Sequence, residues 1–322
     1  MLLPPLPLAG EGWGEGMLAT PPQAPDPHAN PSPQAERGYG AFLPHRTNHP
    51  LPLTAMNSSV DSTIEPVAQD RWRPLRYALR TPLLLLQALI SGPLALVALN
   101  PVAARIRIGD STFEKLMIRW WSGALLRRFG LRIRRVGEPL PGAVLYVANH
   151  ISWLDIVLVH SQRPVSFVAK SEIARWPFVG WLASRAGTIF HRRGSTDSLA
   201  VVMATVVERL KAGTPVGVFP EGGSGHGDKV GTFHARIFQT ALDANVPVQP
   251  VALRYGRDGR QDPSVPFGRK EGFFPNFLRV LGNPAMDAEI HFLEPVAATP
   301  DARRRMAEQS RERIVRELGY GD

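Results

Sequence analysis

The strongest signal in the chain is an apolar run, Ala143-Val144-Leu145-Tyr146-Val147-Ala148, and the polar segment that follows it, Asn149-His150-Ile151-Ser152-Trp153-Leu154-Asp155. An apolar run of this length that ends in a polar turn is typical of a buried strand leaving the core. Histidine and aspartate then lie five positions apart at the end of the strand. Imidazole is well suited to moving a proton near neutral pH, and a carboxylate can fix its tautomer. We therefore expect chemistry at His150 and Asp155.

Asp155 also has a purely structural interpretation. Residues five apart do not share one helical face, so the pair meets only if His150 lies in the turn and Asp155 in the first helical turn. Ser152 and Asp155 also fit a capping box, with Ser152 as the N-cap and Asp155 as the third helical residue. Asn149 is then an ordinary turn residue. The spacing by itself leaves both interpretations open.

The composition excludes several kinds of chemistry. The chain has 322 residues, 31 prolines, no cysteine and a formal net charge of +9. The lack of cysteine excludes disulfides, thiolate nucleophiles, cysteine zinc sites and iron–sulfur clusters. The positive charge favours polyanions such as nucleic acid, anionic lipid head groups and phosphorylated metabolites. The length allows one large α/β domain with appendages, or two modest domains.

Residues 1–66 differ from the rest of the chain. Prolines and glycines crowd Met1–Pro52, and no helical or strand period survives there. Such a segment cannot bury enough apolar surface to offset its ordering entropy, so we predict disorder over residues 1–66. It also lacks the basic start and the uninterrupted apolar stretch of a signal peptide. Met56 is an alternative initiator.

Residues 67–136 combine apolar tracts with basic residues. Thr81–Ala104 is uncharged and long enough to span a bilayer, although three prolines punctuate it. Phe113–Phe129 mixes two tryptophans with lysine and arginine, which suits a membrane interface. We predict a membrane-associated helical hairpin that dips into one leaflet. The alternative is a core helix followed by a surface helix of a soluble domain.

From residue 137 onward, apolar runs alternate with helical periods. The predicted strands are Val144–Ala148, Val165–Ala169, Thr188–Phe190, Val216–Phe219, Val246–Leu253 and Ala288–Phe292. The predicted helices are Ser152–Ser161, Trp176–Ala186, Ser195–Lys211, Phe233–Ala244 and a basic C-terminal helix that begins at Thr299 and ends near Leu318. This alternation predicts an α/β domain over residues 137–322, with a mostly parallel mixed sheet flanked by helices.

Two further segments fit an anion or substrate site. Gly187–Gly194 carries two arginines at a predicted strand end, where guanidinium groups match phosphate oxygens, although a solvated basic loop is the simpler explanation. Val218–Gly227 is glycine-rich and lets backbone amides approach an anion closely. Glu221 in this loop either orients a substrate hydroxyl or bonds amides in the turn. The loop just misses a nucleophile elbow, because His226 replaces the second glycine.

Taken in order, these segments resemble the lysophospholipid acyltransferase family, whose bacterial type is 1-acyl-sn-glycerol-3-phosphate acyltransferase. The family signature Asn-His-x-x-x-x-Asp stands at Asn149–Asp155, and the Phe-x-x-Arg block stands at Phe190–Arg193. Phe-Pro-Glu-Gly stands at Phe219–Gly222, and the apolar proline-containing strand at Val246–Leu253. Phe167–Glu172 also resembles the family. The similarity covers roughly residues 75 to 260, and it departs from the pattern at four positions: His191, Arg192, Gly223 and Ser224.

The resemblance implies transfer of a fatty acyl group from acyl-CoA or acyl-carrier protein to the hydroxyl of a lysophospholipid, chiefly 1-acyl-sn-glycerol-3-phosphate. His150 would be the general base and Asp155 its partner. Arg193 would hold the acceptor's phosphate. No cofactor or metal is implied, and the catalytic domain would face the cytoplasm from the cell inner membrane. The implied substrate-binding residues are Arg193, Glu221, Gly222, Asn149 and Lys170.

Three alternatives stay open. In the first, the acceptor is another lyso-lipid such as lyso-ornithine lipid, and Arg193 holds a different anion. In the second, the enzyme is a serine hydrolase that uses Ser224. The third alternative, suggested by the net charge, is a nucleic-acid-binding protein. We expect no nucleic-acid partner, because the basic residues cluster beside apolar tracts and no binding module is recognisable.

Overall fold

The computed structural model describes residues 70–98, 100, 103, 106–109, 111–175, 179–191, 196–297 and 302–320. The segment predicted to be disordered, residues 1–66, therefore lies outside the described residues. So do Arg192 and Arg193, the first three residues of the helix predicted at Trp176–Ala186, and the predicted start of the last helix at Thr299.

The described strands are mostly short, and the central ones are buried. Their ranges are β1 (Arg107–Ile108), β2 (Ser111–Thr112), β3 (Leu131–Val136), β4 (Leu145–Ala148), β5 (Ser166–Lys170), β6 (Ile189–His191), β7 (Val216–Val218), β8 (Val248–Arg257), β9 (Arg260–Gln261) and β10 (Met286–Phe292). β1 and β2 form a separate antiparallel pair. The other strands form an eight-stranded sheet in the order β3-β10-β8-β4-β7-β5-β6, with β9 paired to β8.

The sheet is mixed but mostly parallel, as the alternation of strands and helices predicted. β10–β8 and β8–β9 are antiparallel, whereas β3–β10, β8–β4, β4–β7, β7–β5 and β5–β6 are parallel. β4 lies in the middle, and all four of its residues are buried. Its side chains alternate between two apolar clusters, because successive residues of a strand face opposite sides of the sheet. Tyr146 and Ala148 join one cluster, and Leu145 and Val147 join the other.

Helices cover both faces of the sheet. Their ranges are α1 (Arg73–Ala98), α2 (Phe113–Arg128), α3 (Leu154–Gln162), α4 (Val179–Arg185), α5 (Thr196–Lys211), α6 (Gln239–Ala244), α7 (Phe273–Leu281) and α8 (Arg303–Leu318). Short 3-10 helices occupy Ser171–Arg175 and Ala235–Phe238. Helices α2, α3 and α7 contribute Leu126, Leu158 and Val280 to one cluster. Helices α5 and α8 contribute Val206 and Ile314 to the cluster on the other face.

The two N-terminal helices pack against each other. Gln87 Nε2 of α1 donates to the carbonyl of Trp121 at 3.2 Å, and Trp121 Nε1 donates to Ser91 Oγ at 3.1 Å. Among the described residues, α1 alone is long and apolar enough to cross a membrane, and only 17% of its most apolar window is buried. α2 buries Leu125 and Leu126 in the same cluster as α3. The second helix of the predicted hairpin is therefore also part of the core.

Three elements of the sheet region, β3, β9 and α7, were not predicted from the sequence. Three of the six residues of β3 are arginines, so the sequence of this strand does not resemble a sheet strand. In the structure, Arg132 and Arg134 form ion pairs with Asp287 of β10 at 2.8 and 2.7 Å. α7 contains Pro275 and only nine residues, so its apolar run showed no clear helical period. In addition, the helix predicted at Phe233–Ala244 is a 3-10 helix that continues into α6.

Candidate active site

His150 and Asp155 meet in the turn between β4 and α3. The turn begins after Ala148, and α3 begins at Leu154, so His150 lies in the turn and Asp155 in the first helical turn. His150 Nδ1 and Asp155 Oδ2 are 2.7 Å apart. This is the placement that a spacing of five residues requires for contact.

The Asp155 carboxylate is fully buried and accepts several hydrogen bonds. Oδ2 accepts the backbone N–H of Ile151 at 2.6 Å and of Ser152 at 2.9 Å, in addition to its contact with His150. Oδ1 accepts the hydroxyl of Tyr255 at 2.8 Å. The capping-box prediction is wrong in register, because the N-cap of α3 is Trp153 rather than Ser152 and Asp155 is the second helical residue rather than the third. Asp155 nevertheless accepts the backbone N–H of Ser152 and also contacts the imidazole.

The backbone and ring of His150 are held by the glycine-rich loop after β7. The backbone N–H of His150 donates to Glu221 Oε1 at 2.8 Å, and its carbonyl accepts the N–H of Gly225 at 2.7 Å. The ring stacks on Phe219, with centroids 4.1 Å apart and planes within 14°. The side chain is 18% exposed, and Nε2 has no hydrogen-bond partner among the described residues. With Nδ1 occupied by Asp155, Nε2 is the nitrogen that can accept a proton.

Tyr255 is a member of the site that the sequence motifs did not identify. It lies on β8, two residues beyond the predicted strand, and its side chain is completely buried. Burial, and then the nearby Asp155 charge, raise the pKa of the Tyr255 phenol well above its usual value. The phenol therefore stays protonated and donates to the carboxylate. The sequence around Tyr255 carries no local signal for this role, because Arg254 and Arg257 flank it on the same strand.

Glu221 joins two backbone segments. Oε1 accepts from His150, and Oε2 accepts the backbone N–H of Gly231 at 2.7 Å. Burial raises the pKa of this carboxyl above its usual value, while the two amide bonds oppose that shift. Its neighbour Gly222 has φ +74°, a left-handed conformation that favours glycine. The geometry matches the structural interpretation of Glu221, and direct substrate contact by Glu221 or Gly222 stays a prediction.

The Asn149 side chain is buried and hydrogen-bonded to strand β8. It is 3% exposed, and its Nδ2 donates to the carbonyl of Leu253 at 2.9 Å. Its Oδ1 accepts the N–H of the same residue at 2.8 Å. These paired bonds tie the turn that carries His150 to β8. These bonds indicate that Asn149 positions the turn. Its predicted contact with substrate stays a prediction.

Lys170 lies at the same edge of the sheet as His150. β4, β7, β5 and β6 are parallel neighbours, so their carboxyl ends share one edge, where ligands of open α/β sheets bind. Lys170 ends β5 in register with His191 of β6, two residues before Arg193. Its side chain is 45% exposed, and its Nζ lies 3.1 Å from Glu172 Oε1. Arg193 itself lies outside the described ranges.

Two other chemistries receive no geometric support within the described ranges. Ser224 is exposed and forms no hydrogen bond with a histidine there. No group of three or more histidine, aspartate or glutamate side chains in those ranges is arranged to hold a metal ion. The expectation that the enzyme uses no metal or cofactor stays a prediction.

Comparison with known proteins identifies the class. The Acyltransferase family model matches residues 132–254. A lyso-ornithine lipid O-acyltransferase from Pseudomonas aeruginosa is 36% identical over 241 residues, which cover 74% of this chain and 92% of that protein. A 1-acyl-sn-glycerol-3-phosphate acyltransferase from Neisseria gonorrhoeae is 41% identical over 126 residues, 39% of this chain and 49% of that protein. The protein is therefore an acyltransferase.

A solved structure shares the fold. The crystal structure of the 1-acyl-sn-glycerophosphate (LPA) acyltransferase PlsC from Thermotoga maritima matches with a TM-score of 0.53 and 22% identity, covering 76% of this chain and 99% of that chain. The chain belongs to the lysophospholipid acyltransferase family, as its four ordered motifs predicted.

Proposed function

We propose that the enzyme transfers a fatty acyl group from a thioester donor, acyl-CoA or acyl-carrier protein, to the hydroxyl of a lyso-lipid. The observation that carries the proposal is the His150–Asp155 pair. Nδ1 is held at 2.7 Å by a buried carboxylate, and Nε2 is without a partner among the described residues. This arrangement suits a general base at the ligand-binding edge of the sheet.

The proposed step is a direct transfer. A lipid hydroxyl is a poor nucleophile near neutral pH, so His150 Nε2 takes its proton while the oxygen attacks the thioester carbonyl carbon. The carbon–sulfur bond then breaks, and the imidazolium returns the proton to the leaving thiolate. Asp155 fixes the tautomer and stabilises the imidazolium. The chain has no cysteine to carry a covalent intermediate.

Two basic residues provide the anion site in this proposal. Arg193 holds an anionic group of the acceptor, assisted by Lys170, which lies in register with His191 at the edge of the sheet that carries His150. Glu221 and Gly222 shape the acceptor pocket beside His150, and Asn149 positions the turn. Guanidinium and ammonium groups both bind phosphate and carboxylate, so this edge is compatible with either kind of acceptor.

Two acceptors are candidates. Lyso-ornithine lipid is favoured by relatives of that name whose alignments span 74% and 73% of this chain. The acceptor 1-acyl-sn-glycerol-3-phosphate, which would give phosphatidic acid, is favoured by 41% identity over a shorter segment. The longer alignments make lyso-ornithine lipid the first acceptor to test.

We further propose that α1 inserts into the cytoplasmic face of the inner membrane. Its leucines are exposed, for example Leu85 at 67% and Leu89 at 72%. Exposed apolar surface on this scale needs a lipid or protein environment. Acyl-CoA and acyl-carrier protein are cytosolic, and the lyso-acceptor is a lipid, so an active site at the cytoplasmic surface has access to both substrates.

The test is an acyl-transfer assay on purified membranes with both lyso-lipids and both donors. The wild type should acylate at least one lyso-lipid, and the preferred acceptor decides between the two candidates. Asp155→Asn should lower turnover by about a hundredfold or more. The matched control is Asp243→Asn, an exposed aspartate on α6 that packs on the other face of the sheet. If the wild type acylates neither lyso-lipid, the proposed function is wrong.

A further inference from the structure

Helix α7 presents large apolar side chains to the outside. Phe277 and Val280 face the core cluster, whereas Phe274 is 65% exposed and Leu278 is 40% exposed. Phe274 and Leu278 are four residues apart and therefore lie on one side of the helix. Single exposed apolar residues are ordinary, but a paired stripe on an amphipathic helix is typical of a surface that meets another apolar phase.

This helix is attached directly to the catalytic turn. Trp153, three residues after His150, donates from Nε1 to Asn276 Oδ1 at 3.0 Å. Its ring stacks on Phe277 with centroids 5.6 Å apart. Phe129 packs edge-on against both rings, at 5.3 and 4.9 Å. The position of α7 is thus fixed relative to His150 by aromatic packing.

The other end of α7 is attached to the start of α1. Tyr77 donates its hydroxyl to the carbonyl of Leu278 at 2.8 Å. Arg76 and Arg80 donate to the carbonyls of Gly282 and Leu281, each at 2.7 Å. The two arginines bond carbonyls at the C-terminal end of α7, where positive charges are favourable, and the Leu278 carbonyl also accepts the N–H of Gly282.

The N-terminal end of α1, which contacts α7, also exposes large apolar side chains. Leu75 and Leu79 of α1 are 48% and 59% exposed, and Trp72, just before the helix, is 55% exposed. Tryptophan, tyrosine and arginine at the end of an apolar helix mark the head-group level of a membrane. Two exposed basic residues, Arg269 and Lys270, precede α7 and have no ion-pair partner among the described residues. Their charge complements an anionic leaflet.

We propose that α7 is a second membrane contact, which lies in the interface of an anionic leaflet with Phe274 and Leu278 among the lipid chains. The inference rests on the proposed function in one respect, namely that α1 inserts into the membrane. Because α7 packs on Trp153, the leaflet surface then lies beside the turn that carries His150. A lyso-lipid acceptor reaches the imidazole along this side without leaving the interface.

The absence of cysteine makes a direct test possible, because single cysteines can carry an environment-sensitive fluorophore. Three variants are compared: Leu278→Cys on α7, Leu89→Cys on α1, and Val201→Cys, which is 66% exposed on α5 at the other face of the sheet. Each labelled protein is reconstituted into phosphatidylethanolamine–phosphatidylglycerol vesicles with brominated acyl chains. Fluorescence at positions 278 and 89 should be quenched by bromine, and fluorescence at position 201 should not.

The outcomes separate this inference from the proposed function. If bromine quenches the fluorophore at position 89 but not the one at position 278, α7 does not contact the membrane, whereas α1 is still inserted. The absence of quenching at both positions contradicts membrane insertion of α1 as well. A blue shift at position 278 without quenching places protein, such as a second copy of the chain, against α7, and also overturns the inference.

A paired activity measurement tests the consequence for catalysis. The double variant Phe274→Ser/Leu278→Ser changes two side chains that are 65% and 40% exposed and lie outside the core cluster, so it should still fold. Its activity toward a lyso-acceptor in vesicles should fall on the order of tenfold, whereas activity toward a monomeric short-chain acceptor should not change. Val201→Ser is the control and should leave both activities unchanged. An equal loss toward both acceptors would contradict a role in membrane contact.

Discussion

The hydroxyl of Tyr255 donates to Asp155 Oδ1 at 2.8 Å, on the opposite side of the carboxylate from His150. The two residues are 100 positions apart in the chain, and both side chains are fully buried. Tyrosine, aspartate and histidine therefore form one continuous hydrogen-bonded chain that ends at Nε2 of the imidazole. The orientation of the proposed base depends on residues from β4, α3 and β8.

Tyr255→Phe should lower kcat without changing the KM for either substrate. The change removes one donor from a buried charged acceptor and leaves the ring in place. A hydrogen bond to a charged group contributes about 1.5–3 kcal/mol, so a fall in kcat of about 10- to 150-fold is expected. Steady-state kinetics with both substrates varied provides the measurement.

Tyr146→Phe is the matched control for this change. Tyr146 is also buried, and it donates its hydroxyl to the carbonyl of Leu140 at 2.8 Å, away from Asp155. Its loss should cost stability and leave kcat unchanged. Equal kcat losses in the two variants would mean that Tyr255 acts only through stability.

Asn149→Ala should destabilise the protein and reduce activity together. The change leaves the N–H and carbonyl of Leu253 without their partner in a buried position. Unpaired buried groups cost about 1–3 kcal/mol each, so the free energy of unfolding should fall by about 2 kcal/mol or more. Denaturant unfolding in detergent measures it. A higher KM at unchanged stability would instead indicate that Asn149 contacts substrate.

Glu221→Gln should change how stability depends on pH. Burial raises the pKa of Glu221 in the folded protein, so the folded state binds the proton more tightly than the unfolded state does. The contribution of this carboxyl to stability is then complete below its unfolded pKa and is lost as the pH rises through the folded pKa. Glutamine does not titrate in this range. The wild type should therefore gain stability relative to the variant as the pH is lowered from 7.5 to 4.5.

Thermal unfolding of both proteins in detergent at the two pH values provides the measurement. Exposed Glu294, which lies after β10, supplies the control variant Glu294→Gln. It should unfold at the wild-type temperature at pH 7.5. A difference between wild type and Glu221→Gln that does not vary with pH would contradict the assigned environment of Glu221.

Ser224→Ala should retain at least about half of the wild-type turnover. Ser224 is exposed and is not bonded to a histidine among the described residues, so it lacks the adjacent base that activates a serine nucleophile. Acyl-transfer and esterase assays on the same preparation make the comparison. Abolished activity would instead favour the serine-hydrolase mechanism.

Local patterns predicted the parts of the site that are close together in sequence. The run before Asn149 predicted β4, and the strand–turn–helix pattern predicted that His150 and Asp155 could meet. Their 2.7 Å contact agrees with that prediction. The alternation of strands and helices also predicted a mostly parallel sheet, which places His150 and the Phe219–Gly222 loop at one edge.

The contacts between distant segments could not be predicted from spacing. Nothing near Tyr255 indicates that its hydroxyl reaches Asp155, because that contact depends on the pairing of β8 with β4. Likewise, the bonds from Glu221 to the amides of His150 and Gly231 depend on how two loops meet. α7 was missed because its apolar residues pack on Trp153 and α1, which are distant in sequence.

The most direct test of the central claim is the turnover of His150→Ala, measured with and without added imidazole. General base catalysis contributes about 100- to 10,000-fold, so turnover should fall by about a thousandfold. Imidazole should restore part of it by occupying the space beside Phe219 and Asp155. Near-normal turnover in His150→Ala without imidazole would contradict the assignment of His150 as the base.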